Sequence, residues 1–117
     1  MDARGELGEV GEEAAATWYL VRGFEILARN WRCRAGELDL VVARPGLLVV
    51  CEVKTRRDDG LGGGYEAVGW QKQRKVRQLA ELFLAAGGAR PDAVRFDVAS
   101  VAMRRAGVSV EVFEDAF

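Results

Sequence analysis

Gly36-Glu37-Leu38-Asp39-Leu40-Val41-Val42-Ala43-Arg44-Pro45-Gly46-Leu47-Leu48-Val49-Val50-Cys51-Glu52-Val53-Lys54 reads as a hairpin. β-Branched and aliphatic residues fill two arms, and Arg44-Pro45-Gly46 punctuates them. Side chains alternate faces along a strand, so Glu37, Asp39 and Val41 share one face of the first arm, and Leu48, Val50, Glu52 and Lys54 share one face of the second. A tip of two or four loop residues without a bulge pairs Ala43 with Gly46 or Val42 with Leu47. Either choice predicts Glu37 opposite Glu52 and Asp39 opposite Val50. Asp39 and Glu52 are then diagonal neighbours, roughly 7 Å apart between α-carbons, within reach of one bridging cation. Like charges facing each other on a sheet are destabilising, so this cluster calls for a bound cation or a raised pKa, and a hard divalent metal would supply the former.

The 117 residues fit one domain, 1–117, with half the residues hydrophobic and 30% charged. No apolar run exceeds five residues, and Leu47 to Cys51 is a strand rather than a membrane span. An N-terminus carrying Asp2, Glu6 and Glu9 is too acidic for a signal peptide, which predicts a cytoplasmic protein without a membrane segment. Two cysteines, Cys33 and Cys51, are expected as reduced thiols, with Cys51 a small core residue facing away from Glu52. The absence of histidine excludes every histidine-dependent triad, and two cysteines alone cannot build a structural zinc site. The net charge of −1 lacks the global footprint of a nucleic-acid binder, yet residues 22–77 carry twelve Lys or Arg against seven acids. Basic charge gathers around the hairpin.

The spacing predicts a helix over Gly5–Arg22 with Leu7, Val10, Ala14, Trp18 and Val21 as its apolar face, ended by Gly23. Glu12, Ala15, Ala16 and Tyr19 form a second stripe on another face. From periodicity alone Glu12 there reads as a solvated acid favoured by the helix dipole rather than as part of a site. A strand follows over Phe24–Arg32, and Arg29, Arg32 and Arg34 lead into the hairpin, either offsetting its acids or contacting phosphates. Thr55 to Gly64 is too rich in charge and glycine for regular structure and lacks the ending of a phosphate-binding P-loop, so no nucleotide cofactor is expected. A mobile flap beside the acids is the expectation there. A second helix, Glu66–Ala86, buries Val68, Val76, Leu79, Ala80, Phe83 and Ala86. Its charges at Lys72, Arg74, Lys75 and Arg77 are a solvated face or, at Lys72 above all, a phosphate contact. Ala93–Val101 and Val108–Phe113 supply two more strands. Glu114 to Phe117 carry no legible chemistry.

An Asp, twelve intervening residues and Glu-x-Lys suit metal-dependent phosphodiester hydrolysis. Asp39, Glu52 and the Val53 carbonyl would hold Mg²⁺ or Mn²⁺ and leave sites for water and a phosphate oxygen. Lys54, on the face of Glu52, would orient the attacking water or stabilise charge on the phosphate. The competing reading is an ion-pair network, since a lone Glu-x-Lys on a strand is ordinarily an exposed pair.

The chain also resembles the YraN family (UPF0102), which is similar to PD-(D/E)xK nucleases and to Holliday junction resolvases. The resemblance lies in Gly11-Glu12-Glu13-Ala14-Ala15 before Trp18-Tyr19, Gly23 to Asn30, Gly36 to Val41 and Glu52-Val53-Lys54-Thr55-Arg56. It continues through Ala67-Val68 to Lys72, Arg95-Phe96-Asp97-Val98 and Asp115-Ala116-Phe117. It implies an α/β restriction-endonuclease-like core, a mixed sheet of about five strands flanked by helices, and a metal-dependent nuclease acting on DNA, including branched DNA. By position it implies Asp39, Glu52 and Lys54 as catalytic residues and Glu12 as a further metal ligand, with Leu38 where the signature has proline. Glu37 ranks below Glu12 as a supporting residue. Arg34, Arg56, Lys72 and Arg74 are the expected nucleic-acid contacts, and cutting both strands of a junction would take a homodimer. The alternative is a nucleic-acid-binding module of the same fold without turnover.

Overall fold

Ala3–Val21 forms helix α1 and Glu25–Cys33 strand β1, with Gly23 between them at φ +88°. That left-handed residue turns the chain so that the Gly23 N–H reaches the Leu20 carbonyl and the Phe24 N–H the Tyr19 carbonyl. The two bonds satisfy carbonyls a helix end otherwise strands. The hairpin arms are β2 (Gly36–Arg44) and β3 (Leu47–Arg57), followed by α2 (Trp70–Gly87), β4 (Ala93–Arg104) and β5 (Gly107–Phe113). This is a computed structural model that describes residues 3–57, 68–88 and 90–117, with side chains from residue 7 onward. The expected flap over 58–64 and the expected helix start at Glu66 lie outside the described residues.

The sheet runs β1-β2-β3-β4-β5. Only β3 and β4 pair in parallel, as the intervening helix α2 requires, and the other neighbours are antiparallel. One face packs Leu40, Val42, Val49, Cys51 and Ala99 against Ala15, Ala16 and Tyr19 of α1. The other packs Val41, Leu48, Val50 and Phe96 against Val76, Leu79 and Ala80 of α2. The result is the expected α/β architecture, a mixed five-stranded sheet flanked by helices. Cys33 and Cys51 are free thiols, and Cys51 is buried.

Five readings of the sequence are corrected. The contact face of α1 is Gly11, Ala15, Ala16 and Tyr19, whereas Val10 and Val21 of the more hydrophobic stripe are exposed. Close approach selects this face. A Cβ at Gly11 would stand 1.7 Å from Thr55 Oγ1 and 2.8 Å from Thr55 Cβ, so the helix rests directly on β3.

The hairpin register is shifted by two residues. Arg44 pairs with Leu47 across a Pro45-Gly46 loop, with Gly46 at φ +82°, the residue pattern of a type II turn. An even shift preserves which face each residue lies on, but Val41 now pairs with Val50, and the register extended past its last pair sets Asp39 rather than Glu37 opposite Glu52. The β2–β3 ladder ends at Leu40 and Cys51, and the arms part beyond it.

Strict alternation also fails where the arms part. Leu38 and Val41 both pack on the α2 side, with their β1 partners Trp31 and Ala28 beside them. Two residues on each strand, Asp39-Leu40 and Arg29-Asn30, occupy the gap, and Asn30 has φ +50°. A further irregularity falls between Ile26 and Ala28.

Finally, β3 continues through Thr55-Arg56-Arg57 because each pairs with a residue of β4, and the C-terminal residues are a clasp. The Ala116 N–H donates to the Phe96 carbonyl at 2.7 Å. Phe117 stacks on Phe96 with ring centroids 5.3 Å apart.

Candidate functional site

Where β2 leaves β3, the Val53 N–H loses a ladder partner on that side and donates instead to Asp39 Oδ2 at 2.9 Å. The bond fixes the carboxylate between the arms. Glu52, on the opposite arm, is 2% exposed. Its Oε1 lies 3.2 Å from Lys72 Nζ, which reaches in from the first turn of α2, while Oε2 is buried without a partner. Burial pushes the Asp39 carboxyl up, against the lowering effect of the Val53 N–H. Burial and then the Asp39 charge push Glu52 up, and Lys72 opposes both. Two acids that repel one another have thus been taken out of water with a single ammonium in contact.

Glu12 joins the site electrostatically. Its carboxyl, half-buried on α1, accepts a hydrogen bond from Asn30 Nδ2 at 2.8 Å. Burial raises its pKa, with the Asn30 bond opposing and the charges of Asp39 and Glu37 adding. Glu37 itself pairs with Arg32 at 2.9 Å on the surface. Lys54 is exposed, and its charge acts on both Asp39 and Glu52.

The structure therefore brings Asp39, Glu52, Val53, Lys54 and Lys72 together, with Glu12 and Glu37 at their margin. Arg29 and Arg32 neutralise Glu13 and Glu37, not the central pair. Arg34 is exposed at the β1–β2 turn. Arg56 borders a hollow of about 260 Å³ with Ser100, Ser109 and Glu111, and its Nε is buried without a partner. Arg74 lies over the Trp70 ring at 5.6 Å on the outer side of α2.

Among the described residues no three His, Cys, Asp or Glu side chains stand close enough to hold a metal between them. The donor set nevertheless suits a hard divalent cation. Asp39, Glu52 and the Val53 carbonyl offer only oxygen, and Glu52 Oε2 is an orphaned buried acceptor. Magnesium typically takes one or two carboxylates and fills the remaining positions with water and substrate phosphate.

Two functional features escaped the sequence reading. Asn30 gave no periodic signal, and only its left-handed backbone reveals it. Asp97 is fully buried and accepts from Tyr19 Oη at 2.6 Å, from Arg95 Nε and Nη2 at 2.9 Å each and from the Asp115 N–H at 2.9 Å. Arg95 and Asp97 two residues apart in an apolar strand were the available clue. With every lone-pair direction occupied, Asp97 is a structural anchor joining α1, β4 and the C-terminus.

An α/β core whose antiparallel arms diverge around an acid, with Glu-x-Lys on the next strand, is of the restriction-endonuclease-like class. The model of the uncharacterised protein family UPF0102 matches residues 11–101. A UPF0102 protein of Streptomyces griseus is 46% identical over 111 residues, covering 94% of this chain and 93% of its own length. One from Mycolicibacterium smegmatis is 49% identical over 104 residues, covering 87% of this chain and 84% of its own. A third, from Symbiobacterium thermophilum, is 48% identical over 95 residues, 81% and 80% of the two chains. The chain belongs to the UPF0102 family. No helix among the described residues is long and apolar enough to cross a membrane.

Proposed function

We propose that this protein is a metal-dependent endonuclease hydrolysing DNA phosphodiester bonds, with branched DNA among its substrates. The observation that carries the reading is the buried, unpartnered Glu52 Oε2 beside Asp39. A protein that merely needed an ion pair there would leave no bare oxygen, since an unsatisfied buried polar group costs about 1–3 kcal/mol.

Asp39, Glu52 and the Val53 carbonyl would hold Mg²⁺ or Mn²⁺, with the Glu12 carboxylate at the margin of the site acting on them through its charge. Such an ion lowers the pKa of bound water and polarises the phosphate. The Val53 N–H holds the Asp39 carboxylate between the two arms. Lys54, exposed at the mouth, orients the attacking water or meets charge developing on phosphate oxygen. Lys72, paired with Glu52, would turn toward an incoming phosphate. Arg34, Arg56 and Arg74 supply backbone phosphate contacts outside the site.

One observation favours a second reading, a binding module without turnover: Lys72 gives Glu52 an internal counter-ion that needs no metal. Labelled four-way junctions, flaps and duplexes incubated with Mg²⁺, Mn²⁺ or chelator separate the two. Metal-dependent cleavage abolished by Asp39→Ala and by Glu52→Ala is expected. Binding without cleavage in every metal establishes the second reading, and cleavage that survives either substitution comes from a contaminant.

A further inference from the structure

We infer that Asn30 is a positioning residue that presents the Glu12 carboxylate to the Asp39–Glu52 site, and that its left-handed backbone is maintained for this task. The inference rests on the nuclease reading above and extends it to a residue outside the expected ligand set.

Asn30 lies inside β1, yet its φ is +50°. Non-glycine residues seldom adopt this conformation, and a single such residue within a strand disturbs the alternation of its neighbours. The disturbance is visible on both sides. Trp31 turns to the α2 side, where it meets Phe83 edge-on with ring centroids 5.4 Å apart. Asn30 sends its amide to α1, where Nδ2 donates to Glu12 Oε2 at 2.8 Å. The flanking pairs, Arg29 with Leu40 and Trp31 with Leu38, place Asn30 across from Asp39. It therefore stands between a carboxylate on the helix and one on the sheet, and the Glu12 and Asp39 charges do act on each other.

The neighbouring contact does not account for the strain. Arg29 meets Glu13 at 2.6 Å, but both side chains are well exposed, so the pair contributes little. Asparagine is also among the few residues that tolerate this backbone and still offer an N–H donor. Glycine would tolerate it better but holds nothing.

That difference supplies the test. Asn30→Gly relieves the backbone and deletes the amide, so a purely structural role and a positioning role move in opposite directions. In thermal melts of the whole chain titrated with Mn²⁺, the metal-free melting temperature of Asn30→Gly is expected to equal or exceed that of the parent. Its Mn²⁺ midpoint is expected to rise about tenfold or more, as for loss of groups that orient metal ligands. In a Glu12→Ala background the same substitution is expected to change the midpoint no further. Should Asn30→Gly fail to fold, Asn30→Ala, which deletes the amide without adding charge, carries the Mn²⁺ measurement, with the same rise in midpoint expected and a lower metal-free melting temperature from the strained backbone.

An unchanged Mn²⁺ midpoint overturns the inference, and so does an equal shift in the Glu12→Ala background. A parent chain that neither melts higher with Mn²⁺ nor cleaves DNA overturns the nuclease reading itself. The two failures are distinguished by the behaviour of the parent.

Discussion

Glu52 and Asp97 are buried carboxylates on adjacent strands of one sheet, and their surroundings separate their roles. Asp97 has the Tyr19 hydroxyl, the Arg95 guanidinium and the Asp115 N–H around it. Replacing it with alanine leaves the half-buried Arg95 only the longer Glu114 contact at 3.7 Å and is expected to cost about 3–5 kcal/mol in denaturant unfolding. Glu52 has one ammonium and one bare oxygen. Glu52→Gln is therefore expected to stabilise the metal-free protein by about 1 kcal/mol at neutral pH while abolishing cleavage. The pH dependence follows from burial raising the folded-state pKa of Asp39 and Glu52. The folded state holds these protons more tightly than the unfolded chain, so the stability they contribute is present below the unfolded carboxylate pKa and lost as pH rises through the raised folded value. In chelator, the advantage of Glu52→Gln should accordingly shrink as pH falls toward the ordinary carboxylate range. Protons compete with metal over the same window, so the Mn²⁺ midpoint of the parent should worsen as pH drops.

Helix α1 shows what an element contributes that its residues do not. Hydrophobic spacing favoured Val10 and Val21 for the interface, but the helix sits on its small residues because Gly11 permits near contact with Thr55. That approach delivers the next residue, Glu12, to the acids. Gly11→Ala would ordinarily strengthen a helix. Here the added methyl meets the Thr55 side chain down to its Cβ, so rotation about χ1 cannot clear it and the helix must lift. A loss of about 1–3 kcal/mol in thermal or urea melts is expected. The Mn²⁺ midpoint should weaken with it, because Glu12 moves with the helix. The hairpin is legible to a similar depth. Pro45-Gly46 marks a turn from residue type alone, whereas the choice between closing pairs moved every cross-strand neighbour by two positions.

Across the whole molecule, the small net charge conceals a basic middle segment wrapped around buried acids. If this surface meets DNA phosphates, affinity should fall linearly with the logarithm of salt concentration. Arg56→Ala should reduce that slope by about 1 without changing sequence preference. Gel-shift titrations across salt concentrations with chelator present measure the slope apart from cleavage. The element set, the turn at Pro45-Gly46, the shared face of Glu52 and Lys54 and the burial of Cys51 were all determined by the sequence alone. Periodicity and turn chemistry are local consequences of backbone geometry. Only the tertiary structure decided that Asp39 faces Glu52, that Lys72 rather than Lys54 touches the buried acid, that Asn30 holds Glu12 and that Asp97 anchors the C-terminus. Each of these depends on which atoms meet between elements distant in the chain. Close approach, desolvation and a single left-handed residue settle such meetings, and none of the three leaves a periodic trace.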